Sequence, residues 1–267
     1  MPEKIVSTTN PKIKNIVLLL KKAAARKEQG LIVIEGLKET GLAIKAGLHI
    51  NSVFYCSELL KREQLPRSLF SDPGEKNIFD VSRPVFDKIA YRESTSGFVA
   101  LAVPQPVSLQ NIKLSANPLV VILESVEKPG NLGAVLRTAD AAKVDALIIC
   151  DPTTDIYNPN VIRSSIGCVF TVQTAAAGFA ETVSWLKNNK IKSFAAALSA
   201  EKYYYETDLS GPSALVMGTE STGLTPGWIA AVDDRIKIPM MGIIDSLNVS
   251  TSAAILIFEA MRQRKFS

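Results

Sequence analysis

PLVVILESVEKPGNLGAVLRTADAA, residues 118–142, is the stretch on which the reading of the fold turns. Residues 119–123 are an unbroken apolar run of strand length, Pro129–Gly130 is a turn dipeptide, and the small apolar residues after it read as a helix over 133–143. A strand without polar alternation that passes through a glycine-containing turn into a helix is the repeating unit of parallel sheets covered by helices on both faces. The same unit recurs downstream. ALIIC, VFTVQ, IKSFAAAL, SALVMG and RIKIPM are further continuous apolar runs, and helices are expected over 160–167, 179–190, 226–232 and 249–264.

Upstream, PQPVSLQNIKLSANP (residues 104–118) holds three prolines and no periodicity, so it reads as a domain boundary. The stretch before it alternates on a smaller scale. Residues 11–30 read as one helix started by Pro11 and ended by Gly30, with Ile13, Ile16, Val17 and Leu20 on one face. LIVIEG is a strand, LKETGLAIKAG a helix closed by Gly47, and NSVFYC, NIFDVS, PVFDKIAYRE and GFVALAVP continue the pattern. The expected organisation is a small α/β unit over 1–106, a linker over 107–117 and a mostly parallel α/β domain over 118–267.

At 267 residues and 47% hydrophobic, the chain has material for two packed cores, and disorder, collagen-like repeats and coiled coil are excluded. No apolar run reaches the roughly 18–20 residues that span a bilayer, and the basic N-terminal stretch lacks the apolar centre of a secretory signal. Three scattered cysteines offer neither a metal-binding spacing nor a disulfide framework, so no metal site and a cytoplasmic location are expected. The one histidine, His49, reads as a surface or capping residue. Charge is uneven: residues 1–106 carry 16 Lys/Arg against 11 Asp/Glu, residues 107–267 carry 14 against 15, and residues 1–27 alone hold seven cations against Glu3. A solvated helix face accounts for such a cluster; a polyanion such as nucleic acid is the alternative.

Three segments place polar residues and glycines directly after apolar strands, where open α/β sheets bind ligands. In the first, Asn131 is placed as a helix N-cap, and Arg137 reads as a buried charge on an otherwise small, apolar helix, either ion-paired or awaiting an anionic substrate. In the second, LVMGTESTGL, Gly218 and Gly223 flank Glu220; an ordinary turn and a close backbone approach to a ligand are both open. In the third, IPMMGIIDSLNVSTSAAILIFEAMRQR, Ser246, Asn248 and Ser250 surround a helix start, and capping accounts for at least one of them.

Together the three segments resemble the motifs of the SpoU (TrmH-type) RNA 2′-O-ribose methyltransferases of the SPOUT superfamily, through Asn131, Gly133 and Arg137, then Gly218, Glu220 and Gly223, then Ile238, Pro239, Ser246, Leu247, Asn248 and Ser250. LIVIEGLKETGLAIKAGLHINSVFYC and STSGFVALAVP are similar to that family's N-terminal substrate-binding domain, a small α/β/α RNA-binding unit. The resemblance implies a parallel-sheet catalytic domain with a deep trefoil knot, a homodimer, and S-adenosyl-L-methionine held by Met217, Gly218, Ile238, Leu247 and Val249. It implies that Arg137 activates or orients a ribose hydroxyl, that Glu220 positions partners, that Ser246 and Asn248 hold substrate or Arg137, and that Asn131 shapes the first loop. The substrate implied is structured RNA, ribosomal ahead of transfer RNA. The polar pairs Ser221–Thr222 and Thr251–Ser252 depart from the family pattern and are expected to change the pocket lining. The competing readings are a non-catalytic RNA-binding or ribosome-assembly protein and a small-molecule nucleotide enzyme. Against the first stands the Arg137/Glu220/Asn248 set; against the second, the missing glycine-rich phosphate loop.

Overall fold

The computed structural model describes residues 2–66, 69, 77–91, 96–219 and 221–266. Glu220 and residues 92–95 therefore lie outside the described residues. The chain forms two compact units: Met1–Gln105 with Ile156–Thr171, and Pro106–Asp155 with Val172–Ser267.

The first unit is built on a five-stranded mixed sheet in the order β1-β4-β3-β5-β2. Its strands are β1 (Glu3–Ile5), β2 (Ile32–Glu35), β3 (His49–Tyr55), β4 (Ile78–Val81) and β5 (Phe98–Val103). β1 lacks an apolar run and was not legible in the sequence; it is tied to β4 by parallel pairing. Helices α1 (Pro11–Lys21), α2 (Ala23–Gln29) and α4 (Arg83–Ile89) bury Ile13, Ile16, Leu19, Val85, Phe86 and Ile89 against one sheet face. The opposite face buries Val53, Tyr55, Ile78, Phe98 and Ala100, with Leu37 of α3 (Leu37–Lys45) packed on them. Gly47, at φ 86°, ends α3 as expected, and His49 is an exposed first residue of β3.

The single helix expected over 11–30 is broken at Lys22, whose backbone is extended (φ −122°, ψ 111°). Arg26 explains the break. Its buried guanidinium folds back to donate to the carbonyls of Leu19 and Leu20, the orphan acceptors at the end of α1, where the helix dipole favours a cation. Arg26 thus leaves the surface cluster, while Lys4, Lys12, Lys14, Lys21, Lys22 and Lys27 remain exposed.

Residues 156–171 supply α6 (Pro159–Ser164), capped by Asn158, to this unit, where the helix lies against β2. The strand expected at VFTVQ is absent: Cys168–Phe170 is a turn of 3-10 helix. Ile166 and Gly167 both adopt positive φ (54° and 81°) and bend the chain so that Val169 is buried outside the parallel sheet. The strand comes later, at β8 (Thr174–Ala177), whose TAAA sequence carries no strand signal.

The second unit is an all-parallel seven-stranded sheet in the order β10-β12-β9-β11-β6-β7-β8. The remaining strands are β6 (Leu119–Glu124), β7 (Ala146–Cys150), β9 (Lys192–Ala196), β10 (Lys202–Tyr203), β11 (Ser213–Met217) and β12 (Asp234–Lys237). β6, β7 and β11 are buried along their whole length, which is why they read as unbroken apolar runs. One face packs Val120, Ile122, Ile148 and Val216 against α7 (Phe179–Asn188) and α8 (Pro226–Ala231). On the other face lie α5 (Pro129–Ala141) and α9 (Val249–Gln263), packed on each other and on β7 and β11. Residues 107–117 form an ordered strap on this unit: Asp145 accepts hydrogen bonds from Ser115 and Leu119, and Trp185 donates to the Leu109 carbonyl.

Arg264, 8% exposed, ties the C-terminus to the unit by donating to the carbonyls of Asn117, Pro118, Leu209 and Gly211. Arg264→Met strands these acceptors in an apolar setting and is expected to lower unfolding free energy by about 3 kcal/mol. The urea midpoint falls, with the slope of the transition unchanged.

Candidate active site

The carboxyl ends of β9, β11 and β12 open on a cavity of about 540 Å³, within the roughly 300–1,000 Å³ range of small-molecule sites. Its walls come from Ala196–Ser199 after β9, the turn after β11, Lys237 and Ile238 at the end of β12, and Asp245, Ser246, Leu247 and the start of α9. Met217, Gly218, Ile238, Leu247 and Val249 all line it, as does Ser246. Residues as far apart in sequence as Ala196 and Leu256 thus share one chamber because neighbouring parallel strands deliver their following loops to the same edge.

The turn after β11 explains its glycines. Thr219 and Gly223 exchange two backbone hydrogen bonds of 3.1 Å each, and Gly223 sits at φ 67°. A Cβ on Gly218 would stand 2.1 Å from the Gly223 carbonyl oxygen, so only glycine lets the turn close. Thr219 Oγ1 lies 2.8 Å from Thr222 Oγ1 and accepts from the Thr222 backbone N–H. The two readings of GTESTG therefore merge: it is a tight turn, and its backbone walls a cavity. Ser221, Thr222 and Ser252 line that cavity, whereas Thr251 is exposed.

The exit of this turn is held by a residue that sequence reasoning passed over. Glu124, the last residue of β6 and 4% exposed, accepts from the Thr225 N–H at 2.9 Å and from Thr225 Oγ1 at 2.7 Å. Thr225 also caps α8. The signal was available: an acid closing the apolar strand LVVILE must find hydrogen-bond donors once buried.

A smaller cavity of about 100 Å³ abuts the first, sharing Thr219, Ser221 and Val249, and is lined on its other side by Val126, Glu127, Lys128 and Asn131. Asn248 caps α9, its Oδ1 accepting from the Ser250 N–H and hydroxyl, while its Nδ2 donates to Asn131 Oδ1 at 3.3 Å. The first and third segments therefore meet through this pair, 117 residues apart in sequence. Asn131 itself is not a helix cap. α5 begins at Pro129, a residue preorganised for a first helical position, so Lys128 occupies the cap and Asn131 lies inside the first turn. Ser246 Oγ donates to Asp245 Oδ1 at 3.1 Å.

Arg137 differs most from expectation. It is exposed and lines neither cavity, because the buried stripe of α5 is Leu132, Gly133, Val135, Leu136 and Ala139. The helix is buried only on that stripe, and a buried charge does not follow from small neighbours.

Gly218→Ala must push the Gly223 carbonyl aside and reshape the cavity. S-adenosylmethionine affinity, measured calorimetrically, is expected to fall at least about tenfold, the cost of roughly 1.4 kcal/mol. Gly211→Ala, whose added Cβ meets nothing within 4 Å, leaves the affinity unchanged.

The comparisons with known proteins bear on this geometry. The model of the SpoU rRNA Methylase family matches residues 118–258, and that of the MRM3-like substrate binding domain matches residues 10–100. The chain is 26% identical to a 23S rRNA (uridine(2479)-2′-O)-methyltransferase of Streptomyces viridochromogenes, over 97% of this chain and 92% of that one. It is 35% identical to the 23S rRNA (guanosine-2′-O-)-methyltransferase RlmB of Vibrio vulnificus, over 69% and 77%. Among solved structures, an RNA 2′-O ribose methyltransferase superposes with a TM-score of 0.85 at 37% identity, covering 98% of this chain and 99% of that one. An AdoMet-bound rRNA methyltransferase from Sinorhizobium meliloti superposes with a TM-score of 0.88 at 29% identity, covering 97% of each. With its glycine turn, its Asn131–Asn248 pair and its strand-end cavity in the matched region, the chain belongs to the SpoU rRNA methylase family.

Proposed function

We propose that the protein transfers a methyl group from S-adenosylmethionine to a ribose 2′-hydroxyl of 23S ribosomal RNA. The observation that carries this reading is the meeting of the three motif segments at one edge of the parallel sheet, in a chain whose curated relatives are named as 23S rRNA 2′-O-methyltransferases.

The larger cavity fits the cofactor. Its apolar walls from Met217, Ile238 and Leu247 suit an adenosyl group, and the backbone at Gly218 is free of any side chain. Met217, Gly218, Ile238, Leu247 and Val249 would hold the cofactor, which supplies an electrophilic sulfonium methyl when bound. The smaller cavity beside it, with Asn131 on its wall, would take the ribose. Asn248 holds Asn131 there while capping α9, Ser246 contributes a hydroxyl to the wall of the larger cavity, and Glu220 would position partners. Methyl transfer needs in-line approach to within roughly 3–3.5 Å, so the main work of these residues is placement. Arg137, exposed on α5 and lining neither cavity, would have to be reached by the bound RNA to orient the hydroxyl and its neighbouring phosphate. A guanidinium carries its positive charge throughout, so it acts by charge and hydrogen bonding rather than by taking the proton.

The fold in this reading is knotted, its C-terminal segment threading a deep trefoil, an exception to the usual absence of knots. The protein is a homodimer. Met241, Ile243 and Ile244 are 95%, 105% and 64% exposed in the 238–248 loop, and a second copy would remove this apolar surface from water. The first unit would grip RNA through the exposed lysines of residues 1–27, whose phosphate contacts make binding salt-dependent. No helix of the described residues is long and apolar enough to cross a membrane, and action in the cytoplasm is part of the proposal.

The test is incubation with methyl-labelled S-adenosylmethionine and total unmodified RNA. Label in 23S rRNA, at a nucleotide resistant to alkaline cleavage, is the expected result. Label in transfer RNA corrects the substrate, and neither label nor cofactor binding leaves the non-catalytic RNA-binding reading in its place. Arg137→Ala is expected to lower kcat by about 10²–10³, the scale of lost electrostatic stabilisation, with cofactor affinity unchanged. A wild-type rate in that variant removes Arg137 from the mechanism.

A further inference from the structure

Residues 203–205 are three consecutive tyrosines that no role described above absorbs. Tyr203 closes β10, the edge strand of the parallel sheet, and Tyr204 and Tyr205 enter the turn after it. The rings form an ordered stack. Tyr203 and Tyr205 stack nearly parallel, with centroids 5.4 Å apart and planes at 14°, and Tyr204 meets Tyr205 edge-on at 5.3 Å. Lys237 Nζ stands 5.2 Å from the Tyr203 centroid, so the stack runs cation, ring, ring. The backbone holds it: the Tyr203 N–H donates to Glu206 Oε2 at 2.9 Å, and the Thr207 hydroxyl donates to the Tyr203 carbonyl.

We infer that this stack is a platform for one unpaired nucleobase of the RNA substrate, with the Tyr205 ring as its stacking surface. The inference rests on the proposed activity toward RNA. Three observations point to a base. The first is exposure: Tyr203 and Tyr204 are half-buried and suffice for packing, whereas Tyr205 keeps 51% of its surface in water. The second is place. Tyr203 pairs in register with Lys237, and Lys237 and Ile238 line the larger cavity, so the platform stands on the strand next to the cavity wall, within reach of an RNA strand bound at the site. The third is the surround. The exposed residues beside the tyrosines in sequence, Glu201, Lys202 and Glu206, are all charged, and Glu206 bears on Tyr205, so a single aromatic face stands among polar groups rather than in an apolar patch. A base is free to stack only when it has left a duplex, so the nucleotide held at Tyr205 lies in a loop or bulge rather than a continuous helix.

The test compares wild type with Tyr205→Ala, Tyr205→Phe and Tyr205→Trp on 23S rRNA transcribed in vitro. Loss of one stacked base raises the KM for RNA in Tyr205→Ala by about tenfold, and the two aromatic variants restore it. Because no phosphate contact is lost, the dependence of RNA affinity on salt keeps its slope. The dissociation constant for S-adenosylmethionine and the thermal midpoint stay at wild-type values, separating a binding role from a structural one. An unchanged KM in Tyr205→Ala overturns the platform and leaves the methyltransferase reading standing. So does a loss shared equally by Tyr205→Phe, or a change in oligomeric state in Tyr205→Ala. If wild type methylates no RNA, direct binding to the same transcript decides: equal binding by Tyr205→Ala overturns the platform alone, and no binding by wild type overturns both readings.

Discussion

A carbonyl oxygen occupying the place of a side chain governs the candidate site. The Gly223 carbonyl stands where a Cβ on Gly218 would be, and that contact closes the turn after β11 tightly enough for its backbone to wall a cavity. The turn is held at both ends, at its start by β11 in the buried sheet and at its exit by the Glu124–Thr225 pair. Burying a carboxyl group is costly unless donors meet it, and here a backbone N–H and a hydroxyl do so. The neighbouring strand β6 thereby sets the position of the loop that follows β11.

Cations in this chain divide by what surrounds them. Arg26 and Arg264 are buried and spend their donors on backbone carbonyls, one ending α1 and the other tying the C-terminus to its unit. The lysines of residues 1–27 and Arg137 stay exposed, where a charge costs little to hold and is available to phosphate. A count of basic residues mixes these two uses, since guanidinium geometry suits both a ring of carbonyls and a phosphate.

The misreadings have specific causes. β1 and β8 escaped notice because EKI and TAAA carry no strand preference, and pairing with neighbours makes them strands. VFTVQ has that preference but comes just after two residues of positive φ, and its first three residues belong to the first unit. The break at Lys22 depends on Arg26 reaching carbonyls a turn away, which helix propensity does not encode. Asn131 was placed as a cap because Gly133 was taken as the helix start, although Pro129 could open the helix sooner. Arg137 was judged buried from the size of its neighbours, and only the orientation of α5 decides which side of a helix meets the core.

The sequence alone determined the alternation of apolar strands and helices, hence the parallel sheet, because fully buried strands have no polar face to show. It also determined the glycines and polar residues at the strand ends, since tight turns and helix starts admit few residue types. Tertiary structure decided which of those residues meet. The Asn131–Asn248 bond, the Glu124–Thr225 pair and the stack of Lys237 on Tyr203 and Tyr205 join residues from different elements. Strand order in the sheet makes such neighbours, and a linear pattern of hydrophobicity carries no information about that order.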